Sequence, residues 1–307
     1  MESNPPAYPP EAPPARKGLP TAAWVAIGLV VLLVLGGLAV GGFAVASVTS
    51  ATSDHQAALK VLEQVRVHNN DIDAQLKAVP NFDSANLTGD NPDFAKFRAD
   101  MAAYGGKVTT ASNTVRADLS KLRAEDSLLK QRSNSPQALF SRSQYANDRK
   151  RVESLIDSFD AAGTVFGIMQ NQIDFFVKFA EALNNFQLVF ARADRNDYAG
   201  ALSAYSQLDS SMQAITSAAT GQYIPPQFKT FAAGFKTLSD DFKALLQAIQ
   251  AGDDAAGQAA ADKVKADAMA LQDFDQAGFQ KFETDLVTPY RTRYENGLKS
   301  AGFTVTT

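Results

Sequence analysis

The chain has no cysteine, two histidines and a single tryptophan among its 307 residues. Without cysteine there is no disulfide, no thiolate metal ligand, no thiol nucleophile and no lipid attachment through sulfur. Packing alone must hold the fold, which suits long helices better than a small cross-linked scaffold. The two histidines, His55 and His68, fall on one helical stretch about 20 Å apart along its axis. They cannot form one metal site alone, and the Glu-x-x-His pairs of di-iron bundles are missing. There is no G-x-S-x-G elbow, no GxxxxGK[ST] loop and no EF-hand loop. The neighbouring carboxylates Asp240-Asp241 and Asp253-Asp254 would point about 100° apart on a helix, a poor geometry for paired acid–base work. These absences predict no enzyme, no catalytic residue, no cofactor and no bound metal. Excess positive charge is lacking too: 29 Lys and Arg stand against 33 Asp and Glu, a net charge of −4. That balance argues against a nucleic-acid partner. Strand-like alternation is essentially absent.

What the chain does have is a long stretch without charge. No charged residue occurs from Thr21 to Ser53, and Arg16 and Lys17 stand just before it. Ala22–Val48 makes about 40 Å of helix, more than the roughly 30 Å of a hydrocarbon core. The reading is one transmembrane helix over residues 21–48, with the N-terminus cytoplasmic by the positive-inside rule. Ala44-Val45-Ala46 has the small-x-small pattern of a signal cleavage site, so cleavage after Ala46 is the alternative. The apolar run ahead of it exceeds the usual h-region of about 7–15 residues, which favours a retained anchor. Gly37 and Gly41 form a GxxxG pair, a candidate dimer face for self-association within the bilayer. Residues 1–20 hold seven prolines and form a disordered cytoplasmic tail. Pro5-Pro6-Ala7-Tyr8 matches a PPxY ligand in form, and the plain reading is a low-complexity tail with a chance match.

Beyond the run the pattern is helical throughout. The first seam is Leu62, Val65, Asn69, Ile72, Leu76 and Val79. The second runs from Phe94 through Phe97, Met101, Tyr104, Val108, Ala111 and Val115 to Leu122 and Leu129, interrupted by Asp118 and Glu125. The third keeps register from Val152 to Phe190 through Gly163 and Gly167, predicting one helix over 137–193. A second stripe on it, Phe175, Phe179 and Phe186, reads as a widened core face. A short helix over 197–219 follows. A fifth carries Phe228, Phe231, Phe235, Leu238, Phe242, Leu245 and Ile249, and a sixth runs from about 254 to 300 with a kink at Pro289. Asp197-Tyr-Ala-Gly200 and Asp254-Ala-Ala-Gly257 form a weak internal echo.

Short connections make consecutive helices antiparallel. The lengths predict an all-α, elongated antiparallel bundle of two stacked four-helix layers. A membrane-proximal bundle covers residues 49–162, completed by about 276–302. A membrane-distal bundle covers 163–275, and 303–307 form a tail. Charge separates along this rod. Arg116–Arg151 holds nine bases and four acids, whereas Val152–Thr288 holds eighteen acids and nine bases. The basic stretch would face lipid head groups or wall polymers. The outermost acids, Asp194, Asp197, Asp253 and Asp254, form a candidate tip for a basic partner or cations. The plainer reading makes Asp197 and Asp254 helix caps on a solvated face.

The function predicted is a single-pass cell-membrane protein whose extracytoplasmic helical bundle has a structural or protein-interaction role in the cell envelope. Its partners are the bilayer, a second copy through the span, and an envelope protein or polymer. The alternative is a ligand-binding, sensor-type four-helix ectodomain. The absence of a second span before Thr307 and the largely apolar seams weigh against it.

Overall fold

The computed structural model of the protein describes residues 53–77, 92–134, 142–271 and 273–303. The charge-free run, Gly37, Gly41, Ala46 and the proline-rich tail lie outside the described residues. Among the described residues there are seven α-helices and no strand. None of these helices is long and apolar enough to cross a membrane.

The helices are α1 (Ser53–Lys77), α2 (Phe94–Ser133), α3 (Arg142–Asp194), α4 (Tyr198–Ala218), α5 (Pro226–Ala251), α6 (Asp254–Ala270) and α7 (Gln276–Ser300). The longest, α3, has 53 residues, about 80 Å of helix. It continues through Gly163 and Gly167 because its inward face stays apolar there: Phe159, Phe166 and Met169 are all buried. Every other helix except α6 packs on α3 directly or through aromatic rings.

Helix α2 runs antiparallel to α3 over nearly its whole length. Gln187 Nε2 donates to the Pro92 carbonyl at 3.2 Å. Thr109 Oγ1 donates to Gln170 at 3.0 Å. Arg123 reaches Asp160 at 2.8 Å, and Arg149 reaches Asp126 at 2.9 Å. The first half of α2 therefore accompanies α3 well past residue 162, where two bundles were expected to divide. Its seam explains this: Phe94, Phe97, Met101 and Tyr104 are already buried at its start and need a partner there. One continuous hydrophobic core extends from Ala58 to Phe303. Phe303 itself is buried and belongs to this core; the rest of the expected tail lies outside the described residues.

Helix α7 lies antiparallel to the first half of α3. Arg151 Nε donates to the Ala301 carbonyl at 2.9 Å, and Ser158 Oγ donates to the Tyr294 carbonyl at 2.7 Å. The backbones come close because Gly297 faces Ser154 and Ser158, where any Cβ would collide with the Ser158 hydroxyl. Helix α1 is clasped on the other side by polar groups. His55 Nδ1 meets Asp148 of α3 at 2.8 Å, His68 Nδ1 meets Asp118 of α2 at 2.9 Å, and the Tyr294 hydroxyl donates to Asn69.

Around the second half of α3 the partners change. Helix α4 packs antiparallel to it, with Asn185 Nδ2 donating to Ser211 Oγ at 3.2 Å. Helix α5 meets it through rings more than through close backbone approach. Phe228 sits 4.9 Å from Phe175, Phe235 sits 5.5 Å from Phe186, and Phe242 stacks on Phe190 at 5.8 Å. Phe175, Phe179 and Phe186 are buried, so the second stripe is core. Each such pair adds about 0.5–1.5 kcal/mol beyond area burial. On α5, Leu246 is buried and Leu245 only partly, because α6 covers part of the helix's other side.

The expected sixth helix is two helices. Residue Ala270 ends α6, Leu271 caps it, and Asp275 opens α7 by accepting from the Gly278 amide at 2.9 Å. The chain turns there because Asp275-Gln-Ala-Gly278 is a capping sequence of the kind at Asp197-Tyr-Ala-Gly200, where the Gly200 amide is bound at 2.9 Å. A Cβ at either glycine would collide with the capping carboxylate. Helix α7 continues through Pro289. Helix α6 offers only Ala260 and Ala268 for full burial and packs on α5, outside the position expected for it.

Candidate functional site

The two turns at the far end of α3 and α5 carry the expected acidic tip. Asp197 caps α4, and its carboxylate stands 3.9 Å from Arg192. Asp253 caps α6 by accepting from the Ala256 amide at 3.0 Å. Asp254 is the first residue of α6, so the cap falls one position earlier than the echo implied. Asp194 and Asp254 are exposed, and Arg192 and Arg195 are interleaved with the acids. Helix ends thus employ two of the four carboxylates, and the remaining charge is mixed. Among the described residues no group of three or more His, Cys, Asp or Glu side chains is arranged to hold a metal ion.

The basic stretch has a feature that its charge count conceals. Three of its four acids, Asp118, Glu125 and Asp148, are buried. Asp118 is matched by His68 and, at 3.7 Å, by Lys121. Asp148 is matched by His55. The outward side chains of α2's last turns and α3's first turns include Lys130, Arg142 and Lys150, all exposed. This basic end is also where α1 begins.

Two further sites were not apparent from the sequence. The first is a buried polar cluster between α3 and α7. Gln172, 1% exposed, donates through Nε2 to Glu283 Oε1 at 2.7 Å and more weakly to the Tyr223 carbonyl at 3.4 Å. Its own Oε1 is buried with no donor. Burial pushes the Glu283 carboxyl up to about 7, partly opposed by the Gln172 hydrogen bond. The cluster is rich in acceptors and short of one proton.

The second is a half-open cleft of about 370 Å³ between the first half of α5 and the α6–α7 turn. Phe231, Phe274 and Leu271 supply its apolar wall, and Gln227, Asp267 and Asp273 its polar one. Gln227 Nε2 donates to Asp275 at 3.2 Å. That bond fixes the amide, since a carboxylate cannot donate in return. Gln227 Oε1 and Asp267 Oδ2 are left buried without a donor. Burial pushes the Asp267 carboxyl up, as do its hydrogen bond to the Asp241 carboxyl of α5 and that group's charge, with Lys263 opposing. A second open groove, between α3 and α4, is lined by Lys178, Glu181, Asn185 and serines, several already bonded within their own helices.

Sequence signals for these sites were present but ambiguous. Asp118 and Asn69 occupy inward seam positions, which demand polar partners in the core; the histidines are those partners for the aspartates. Gln172 and Glu283 are 111 residues apart, and no local pattern joins them. Compared with family models, curated proteins and solved structures, the chain finds no match in any of the three.

Proposed function

We propose that the chain is a single-pass membrane protein whose helical bundle stands outside the membrane and acts by interaction, without catalysis. The observation that carries this reading is the charge-free run through Ala22–Val48 followed directly by α1 at Ser53. The basic end of the bundle supports it. With Asp118, Glu125 and Asp148 buried, the surface beside the start of α1 suits anionic head groups, at about 1 kcal/mol per base near the surface. The packing supports an elongated, two-tier form of the bundle. A lower tier has α1, the second half of α2, the first half of α3, and α7. An upper tier has the first half of α2, the second half of α3, α4 and α5, with α6 outside. In the bilayer, Gly37 and Gly41 pair two copies.

Fractionation of cells making the full chain tests the anchor. The protein should sediment with membranes and resist alkaline extraction, and protease added outside intact cells should reach the bundle and spare the N-terminal tail. Recovery in the soluble fraction, or a protected bundle, overturns the reading. Leucine at both Gly37 and Gly41 should abolish association in the membrane. An unchanged dimer signal in a bilayer association assay would remove that part.

A further inference from the structure

The corner where α6 turns into α7 is held on both sides by carboxyl groups that need a proton. On the α6 side, the Asp267 carboxyl is hydrogen-bonded to the Asp241 carboxyl of α5. Two carboxylates offer only acceptors, so that bond exists only while one of them is protonated. On the α7 side, Glu283 Oε1 accepts from Gln172 Nε2 at 2.7 Å, and Gln172 Oε1 is buried with no donor. A protonated Glu283 adds an O–H donor to this cluster, whereas an ionised one adds only acceptors.

The charges around the two groups do not replace those protons. Asp267 faces Asp241 of α5 and is offset only by Lys263 of its own helix, with Asp273 and Asp275 in the adjoining turn. Glu283 meets the Gln172 amide of α3, which also reaches the Tyr223 carbonyl ahead of α5. Lys281 and Asp285 on its own helix pair with each other at the surface. Burial raises both carboxyls, and the bond to Asp241 and its charge raise Asp267 further. Each holds its proton more tightly in the closed corner than in water. Closure is therefore favoured at acid pH and loses that advantage as pH rises past neutrality.

The packing lets this corner move apart from the rest. Helix α6 offers only Ala260 and Ala268 for full burial. Before Pro289, α7 has one fully buried side chain, Phe279, whose ring lies 5.5 Å from Phe228. Beyond Pro289 the same helix is fastened to α3. Arg293 reaches Asp157 at 2.8 Å, and the Tyr294 and Ala301 carbonyls accept from Ser158 and Arg151. Pro289 itself cannot donate the hydrogen bond that would cross this point. At the other end, the chain enters α6 through Gly252, whose φ of 70° is left-handed. Under the corner lie Phe228 and Phe231, against which Phe274 and Phe279 pack.

We propose that α6 and the first half of α7 form a proton-dependent flap, hinged at Gly252 and Pro289. It closes over Phe228 and Phe231 while Asp267 and Glu283 share their protons with Asp241 and Gln172, and it is released as they ionise. Nothing in this device depends on the membrane anchor, so it stands or fails separately from the localisation proposed above.

The test is hydrogen exchange resolved by peptide, on the full chain in detergent micelles at pH 5.5 and pH 8, corrected for the intrinsic pH dependence of exchange. Peptides of α6 and of α7 before Pro289 should lose protection at pH 8 by at least about tenfold. Peptides of α3 and of α7 beyond Pro289 should keep theirs. In the double variant Asp267→Asn, Glu283→Gln, amide donors replace the titrating protons, and the flap should be equally protected at both pH values. Should that variant fail to fold, the parent's two profiles decide alone. Unchanged protection of the corner between the two pH values would overturn the proposal. So would a loss shared equally by α3 and all of α7, or a pH dependence that survives in the folded double variant.

Discussion

Glu283 shows how one buried side chain can tune the whole bundle. Its carboxyl is shifted from 4.5 to about 7, so the folded state holds this proton more tightly than the unfolded chain does. Stability from this group is fully present below about pH 4.5, falls as pH rises, and is lost above about pH 7. The full difference is about 3 kcal/mol. Glu283→Gln cannot titrate, and its amide can supply the donor that Gln172 Oε1 lacks. Denaturant titrations at pH 5 and pH 8 should therefore show the variant gaining on the parent at the higher pH. Equal differences at both pH values would refute the assignment. Glycine makes a second residue-scale case. A Cβ at Gly163 or Gly167 meets nothing within 4 Å, and alanine there should stabilise α3 by about 0.5–1 kcal/mol each. At Gly297 the same change should push α7 off α3 and lower the melting temperature.

At the scale of elements, most helices were legible because inward residues repeat at three and four. The α3 and α5 seams were read almost residue for residue. The break between α6 and α7 was not, although Asp275-Gln-Ala-Gly278 stood in the sequence as its signal. Periodicity records which face is buried, and it is silent about a turn that keeps an apolar residue such as Phe274 in step. Gly278→Ala should displace the Asp275 cap and cost about 1–2 kcal/mol. Gly257→Ala, whose nearest contact would be Ala248 Cβ at 4.0 Å, should be tolerated. Thermal melts of the two variants would distinguish a capping glycine from an incidental one. The position of α6 was illegible for a different reason: an alanine-rich helix with few large side chains fits several grooves equally well. Burying so little, α6 should exchange its amides faster than α5. Hydrogen exchange resolved by peptide would show this, and equal protection would contradict it.

For the molecule as a whole, the consequence of a shared core is cooperativity. Helices α2 and α3 belong to both ends of the bundle, so neither end can lose its packing while the other keeps two intact partners. The native tryptophan, Trp24, lies outside the described residues, so reporters are placed within the bundle. Tryptophan at Tyr145 near the basic end and at Phe190 near the acidic end should report coincident unfolding in urea. Two separated midpoints would instead mark independent domains. The half-open cleft was beyond reading from sequence at this scale, because its walls come from α5 and a turn some forty residues later. Only the tertiary fold sets Gln227 beside Asp275.

The unbroken length of α3 also has a mechanical meaning. A push or pull applied beyond Asp194 travels to the basic end along a single hydrogen-bonded helix, braced along its side by α2. No loop interrupts that path to absorb the displacement. Bending would have to stretch the outer face of one helix against the inner face of the other, so the pair resists flexure far more than either would alone. Contact made at the tip is therefore felt at the foot as tilt of a stiff beam.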